Sequence, residues 1–263
     1  VRRVAQGGAR RIDVGDLAFR VWGVDRVADG IPALVLVHGI GVSHRYLVRT
    51  HNALRALTEA SRIAVVSVDL PGHGGMPKPD GDADIARIAT GLDDALARCG
   101  IGGGVLVGHS MGAQWVTELA HRRRDSTAGV VLIGPVADDR HRTFFAQARA
   151  LAVDTLRESL STNVVIFTDY LRCGVPWYLR QSRHMLTYPL EQRVRALPLP
   201  TLVMRGDRDP IAGDDWIRRL SAAAPRGAVT VIPGGAHVIQ DAQPDEVAAA
   251  LLVFAEGVGV FGR

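Results

Sequence analysis

Continuous apolar runs alternate along the chain with stretches in which apolar residues recur every three or four positions, and the two rhythms divide the sequence into strands and helices. Residues 11–14 and 17–22 alternate apolar and polar side chains around Gly15-Asp16, the pattern of a β-hairpin. Residues 32–37, 105–107 and 130–133 are unbroken apolar runs and 63–68 is apolar but for Ser67, as expected of strands buried on both faces. Between them, 46–60, 82–99 and 111–123 read as helices. The second of these carries Ile85, Ile88, Ala89, Leu92 and Leu96 on one face and is closed by Gly100. Strand and helix signals that alternate from 32 to 135 predict an α/β fold with a mostly parallel central sheet flanked by helices.

From 136 to 197 the rhythm breaks. Amphipathic helical patterns at 142–152, 155–160, 164–171 and 177–186 replace the buried strands, although Val164-Val165-Ile166-Phe167 also has strand propensity. The sheet resumes at 201–205, followed by a helix over 214–224, a strand at 229–232 and a final helix over 244–256. About eight strands result. The pattern predicts a core made of 1–135 and 198–263, with 136–197 inserted as a helical cap.

Composition narrows the function classes. The 263 residues are 47% hydrophobic and 22% charged, ordinary for a globular chain with a sizeable core. Aromatics make up 5%, too few for a module that binds nucleic acid by stacking, and the formal charge of +4 is dispersed rather than blocked. Cys99 and Cys173 have neither metal nor redox spacing and read as two free thiols in a reducing compartment. Residues 1–16 contain no apolar stretch of the signal-peptide kind, and no window reaches the 18 or more apolar residues of a membrane span. A cytoplasmic protein without nucleic-acid or membrane partners is therefore expected. The histidines lack ligand spacing, so neither a metal nor another cofactor is expected.

The chemistry is concentrated where the 105–107 run breaks into Gly108-His109-Ser110-Met111-Gly112. This is a G-x-S-x-G nucleophile elbow, in which a serine stands on a strained strand-to-helix turn and flanking glycines let strand and helix approach. The Met111 amide, at the head of the following helix, would face an anion growing beside Ser110. A serine nucleophile needs a base and a group to orient that base. His237, in Gly234-Gly235-Ala236-His237, follows the last strand; Asp207 and Asp209, in Gly206-Asp207-Arg208-Asp209-Pro210, follow the strand before it.

These motifs, with His38-Gly39 after one strand and Asp69-Leu70-Pro71-Gly72-His73-Gly74 after the next, resemble those of α/β-hydrolase fold proteins, in the serine-nucleophile, capped group of esterases, lipases and thioesterases. The resemblance runs from residue 34 to about 255. It implies that Ser110 is the nucleophile, His237 the general base and acid, and Asp209 the orienting carboxylate. Asp207, Asp138 and Asp139 are the rival acids. The resemblance also implies an oxyanion hole made by the backbone N–H groups of Ile40 and Met111. In this reading His38 and His73 order their loops, His109 packs beside the nucleophile, Asp69 holds its own turn, and Asp241 is a solvated helix-start residue. Met76 departs from relatives that carry serine after the Gly-His-Gly turn.

Serine at the elbow argues against the haloalkane dehalogenase and epoxide hydrolase relatives, whose aspartate forms an alkyl ester; from serine the same step gives an ether that water does not cleave. What remains is addition to a carbonyl. The expected function is a serine hydrolase that cleaves a small, largely apolar carboxylic ester or thioester, free or carrier-bound, through an acyl-enzyme on Ser110. The alternatives are acyl transfer, carbon–carbon cleavage, lyase or cyclisation chemistry, cofactor-free perhydrolysis, and a ligand-binding protein with a vestigial triad. Trp115, Phe144, Phe145, Trp177, Tyr178 and Met185 are the expected pocket residues, and the arginine-rich segment 140–183 offers contacts to an anionic substrate or carrier. Oligomeric state is open at this stage.

Overall fold

A computed structural model describes residues 6–28, 31–138 and 157–261. The N-terminal hairpin forms as expected: β1 (Ala9–Val14) pairs antiparallel with β2 (Leu17–Trp22) across Gly15, which takes the positive φ that the tight turn requires. Then come β3 (Ala33–Val37), α1 (Val48–Leu57), β4 (Ala64–Asp69), α2 (Ile85–Arg98), β5 (Gly104–His109), α3 (Gly112–Arg122) and β6 (Thr127–Ile133). Among the described residues, three helices lie between β6 and the next strand: α4 (Leu160–Cys173), α5 (Val175–Thr187) and α6 (Leu190–Arg195). The chain ends with β7 (Pro200–Gly206), α7 (Asp214–Ala223), β8 (Arg226–Ile232), the short α8 (Ile239–Ala242) and α9 (Pro244–Gly257).

The eight strands form one sheet in the order β1-β2-β4-β3-β5-β6-β7-β8, parallel from β4 onward. Alternation along each buried strand feeds a core on either face. Val35, Val66, Leu106 and Val203 point toward α2, α3 and α7, whereas Leu36, Val65, Val107 and Met204 point toward α1 and α9. The chain runs outward from β3 to β4 and then crosses back to β5 on the other side of β3. That reversal opens a crevice beyond the carboxyl ends of β3 and β5, the place where sheets of this kind hold ligands.

Helix ends follow local capping chemistry. Asp84 caps α2 through the Arg87 amide at 2.7 Å, and Ser159 caps α4 through the Thr162 amide at 3.1 Å. Residues 164–167 lie inside α4, so helical packing prevails over their β-branched propensity. Residues 157–159 are not helical and α4 begins at Leu160, within the expected 155–160 helix; residues 155–156 and the expected helix over 142–152 lie outside the described residues. One reading is corrected. Asp241 is not solvated: it is fully buried, accepts the Thr162 hydroxyl at 2.6 Å and lies 3.7 Å from Arg49, because α4 packs over the start of α8.

Candidate active site

Ser110 follows β5 directly and is one of two non-glycine residues with positive φ among those described, at 57°. An L-residue held in the left-handed region carries strain of about 1–2 kcal/mol. The conformation is enforced on both sides: the Ser110 amide bonds the Ile133 carbonyl at 2.8 Å, and its own carbonyl accepts from Ala113 as α3 begins. The two motif glycines are required by close approach. A Cβ at Gly108 would lie 2.3 Å from the Gly112 carbonyl oxygen, and one at Gly112 would lie 2.5 Å from that of Val37. The side chain is thereby turned out of the strand end, and the residue is 8% exposed.

The loop after β3 passes directly over this turn. Gly39 is so close that an added Cβ would stand 2.9 Å from the Ser110 Cβ. His38 fixes the loop: its Nδ1–H donates to the Gly39 carbonyl at 2.7 Å while Nε2 accepts the Leu70 amide at 3.1 Å. Burial depresses its pKa, so the ring is neutral, as this pairing of roles demands. The Gly39 amide donates to the Tyr46 hydroxyl at 2.7 Å, leaving the next amide, of Ile40, pointing elsewhere. Among the described residues, neither the Ile40 nor the Met111 amide has a hydrogen-bond partner.

His237 and Asp209 arrive from the loops after β8 and β7. The His237 Nδ1–H donates to Asp209 Oδ2 at 2.9 Å, and Oδ1 of the same carboxylate accepts the Ile211 and Ala212 amides at 2.8 and 3.0 Å. Burial alone would raise the Asp209 pKa; the charge and hydrogen bond of His237 and the two amides outweigh it and hold the carboxyl below its usual range. Of the rival acids, Asp207 is exposed, Asp138 is bonded by Arg219, and Asp139 lies outside the described residues.

The family model of the alpha/beta hydrolase family matches residues 34–250. The chain belongs to the alpha/beta hydrolase family. Esterase YbfF of Escherichia coli K12 is 28% identical over 83% of this chain and 91% of its own length. The 2-(acetamidomethylene)succinate hydrolase of Mesorhizobium japonicum is 23% identical over 94% of each chain. A thermophilic esterase from Thermogutta terrifontis shares the fold, with a TM-score of 0.75 at 22% identity over 95% of this chain and 99% of that one. Family and relatives together support hydrolase activity of the ester-cleaving kind.

In this alpha/beta hydrolase the expected pocket residues divide. Tyr178 of α5 and Tyr170 of α4 pack edge to face, 5.4 Å apart, against Gly41 beside Ile40. Trp177 lies over Gly72, and Met185 is buried with its carbonyl accepting from Gln114. Trp115 is fully buried and packs against the rings of His38 and His73, a core position rather than an open wall. Phe144 and Phe145 lie outside the described residues. Among the described residues no cluster of three His, Cys, Asp or Glu side chains could hold a metal ion.

Three contributors to the site escaped the sequence reading. Gly134, after β6, lies against both partners of the His237–Asp209 pair: a Cβ there would be 2.9 Å from the imidazole Cε1 and 3.2 Å from the carboxylate. Buried Arg205 ties the Asp207 and Asp209 carbonyls together at 3.1 Å each. Tyr46 gives its hydroxyl proton to His109 Nδ1 at 2.7 Å, and His109 Nε2–H donates to the His237 carbonyl at 2.9 Å. The Gly39 amide is thus wired to the backbone of His237 through two buried side chains. Burial, aided by the charge of His237, pushes the His109 pKa down to about 3, so its ring is neutral and one-sided as the wire requires. Only the position of Gly134, directly after a buried strand, was a signal available in the sequence.

Proposed function

We propose that this hydrolase cleaves a small, largely apolar carboxylic ester or thioester through an acyl-enzyme on Ser110. The Ser110 hydroxyl adds to the substrate carbonyl as His237 takes its proton, with Asp209 holding the imidazole so that Nε2 acts as the base. The tetrahedral oxyanion is met by the Ile40 and Met111 amides, in a site where water is displaced and such donors act strongly. His237 then protonates the leaving alcohol or thiol, the acyl-enzyme remains, and the same base activates water to release the acid. Helices α4 and α5 cap the site, and Tyr178 beside Ile40 lines the acyl side of the pocket.

The observation that carries this reading is a serine held at φ 57° with its next-door residue, His109, bonded to the backbone of a histidine whose Nδ1 faces a buried carboxylate. A fluorophosphonate probe should label the wild type and leave Ser110→Ala unlabelled. p-Nitrophenyl esters of increasing acyl length should then turn over, with kcat/KM peaking at a short or medium chain. Equal labelling of Ser110→Ala would remove the nucleophile assignment; labelling without turnover of any ester or thioester would remove hydrolysis.

A further inference from the structure

Helix α4 is amphipathic in an inverted sense. Its inward positions, Thr162, Val165, Asp169 and Cys173, are buried, and two of them are polar: Asp169 accepts Ser43 and Arg45 of the loop after β3, and Thr162 donates to Asp241. Its outward positions are Leu160, Val164, Phe167 and Leu171, spaced to fall on one line along the helix and 59–86% exposed. Val175 and Leu179, 70% and 43% exposed, prolong the stripe onto α5. Single exposed apolar side chains are ordinary, but a row of six on adjoining helices is not. The apolar positions Val164, Phe167 and Leu171 of the amphipathic 164–171 pattern thus face outward.

On the described part of the cap the exposed charges are arginines. Between 157 and 187 the exposed charged side chains are Arg157, Arg172, Arg180 and Arg183, whereas the carboxylates, Glu158 and Asp169, are 8% and 2% exposed. The facing loop carries three exposed carboxylates, Asp80, Asp82 and Asp84, of which Asp82 is engaged by His184 at 2.7 Å and Asp84 caps α2. A second copy of the chain is a poor occupant, since a two-fold contact would set this arginine rim against itself. A surface that is apolar within and anionic at its face fits both features.

We infer that the α4–α5 face docks on an anionic lipid bilayer. Leu160, Val164, Phe167 and Leu171 would enter the headgroup–acyl boundary while the arginines meet lipid phosphates, as an interfacial amphipathic helix does. No helix among the described residues is long and apolar enough to cross a membrane, and the contact proposed is peripheral, the opposite of the sequence expectation of no membrane partner. The docking helices are those whose inner tyrosines rest on Gly41, so an amphiphile held at the bilayer is presented on the Ile40 side of the site. Docking is independent of the acyl-enzyme reading; only a gain in turnover on bilayer-borne esters rests on it.

The test is sedimentation of the full chain with vesicles of phosphatidylcholine alone or containing phosphatidylglycerol, at low and high salt. Wild type should sediment with the anionic vesicles, weakly with the neutral ones, and less as salt rises. Phe167→Asp combined with Leu171→Asp should lower the partition by at least about tenfold, and each of Arg172→Gln, Arg180→Gln and Arg183→Gln by about fivefold. The aspartate variant and Arg183→Gln should keep the wild-type melting transition and labelling at Ser110, because those side chains face solvent, and Arg172 and Arg180, which meet Asp169 and the Gly81 carbonyl, are left in place. The proposal is overturned by absence of binding to either vesicle, by aspartate variants that bind as well as wild type, or by binding to an acidic polypeptide but not to vesicles. It is equally overturned by a dimer in light scattering that Phe167→Asp converts to monomer. Labelled wild type that does not bind vesicles would sink the docking alone; unlabelled wild type that binds would sink the nucleophile alone.

Discussion

The sheet ends in two buried aspartate–histidine pairs, Asp209 with His237 beyond β7 and β8, and Asp69 with His44 beyond β4 and β3. In each the imidazole Nδ1–H faces the carboxylate, at 2.9 Å in the first and 3.0 Å in the second. In each the carboxyl is held below its usual range although burial works against this. Asp69 is the more heavily bound: it accepts the His44 amide at 2.8 Å and the Trp22 indole at 3.0 Å, with Arg20 at 3.7 Å. The His44 ring is stacked on Trp22, 4.1 Å between centroids, and its Nε2 is buried with no partner among the described residues. The His237 ring instead lies against Gly134 and against His109, the residue that precedes the strained Ser110 in the chain. A carboxylate–imidazole pair is a general means of burying charge with its hydrogen bonds met. The surroundings of the ring separate a brace from a proposed catalytic pair, and an aspartate-to-histidine distance alone does not.

The sharpest way to break this comparison is to neutralise each aspartate. Asp209→Asn should lower kcat about 10⁴-fold by favouring the wrong imidazole tautomer, with little change in melting. Asp69→Asn should leave kcat per folded molecule within a few-fold and lower stability by about 3 kcal/mol, the scale for a buried pair deprived of one charge. Esterase kinetics and thermal melts on both variants separate the two outcomes. Equal loss of kcat in both, at unchanged stability, would erase the distinction.

A smaller effect is expected from the wire that reaches His237 only. Tyr46→Phe and His109→Leu each release the Gly39 amide or the His237 carbonyl without touching the reacting atoms. Each should reduce kcat by about 10–100-fold, the cost of a slight misplacement, while KM stays near wild type. His109→Gln, which retains one donor and one acceptor, should recover part of the loss. Stopped-flow rates of fluorophosphonate labelling give the same ranking without a substrate.

pH resolves the two sides further. Burial holds His109 at about 3 beside the first pair and His73 at about 3 beside the second, while His51 is held at about 4 under β4. These folded values lie below the ordinary 6.5, so as pH falls the unfolded chain takes up protons first. Stability from these rings is therefore complete above about pH 6.5 and declines as pH drops toward 4 and then 3. Asp209 and Asp69, depressed carboxyls, add their own loss only below the ordinary carboxylate value of 3.8. Melting temperature measured from neutral pH downward should fall well before the carboxylates titrate, and less steeply in His109→Gln than in wild type.

What could be read without the structure follows the range of the forces involved. Buried strands announce themselves because both faces must be apolar, and the Gly-x-Ser-x-Gly turn does so because sterics dictate its glycines; the turn at Ser110 was legible on those grounds, whereas His237 and the two aspartates were candidates from their places after strands, and Asp209 was preferred to Asp207 only through the family resemblance. The Tyr46–His109 wire was not, since it joins residues 63 and then 128 positions apart, and nothing local distinguishes a bonded tyrosine from a packed one. Asp241 was misread because its partner, Thr162, comes from a distant helix. The α4 stripe was legible as periodic but not as outward-facing: a 3.6-residue repeat fixes which residues share a face, not what that face meets.

The smallest expected effect concerns the backbone itself. In the Asp69 loop the positive-φ positions are glycines, Gly72 at 76°, Gly74 at 58° and Gly75 at 83°, so that turn is made without side-chain strain. The elbow at 57° carries a serine, a position that glycine would fill more easily but without a hydroxyl. If the strain is retained for that hydroxyl, Ser110→Gly should be more stable than Ser110→Ala by about 1 kcal/mol, the left-handed penalty of a Cβ. In a chain of this size that corresponds to a rise in melting temperature of about 2–4 °C. Both variants should be equally inactive toward esters and toward the fluorophosphonate, so the difference reports the backbone alone. Equal melting temperatures would mean that the surrounding hydrogen bonds, from Ser110 to Ile133 and from Ala113 to Ser110, absorb the strain, and the elbow would then be no more strained than the glycine loop after β4.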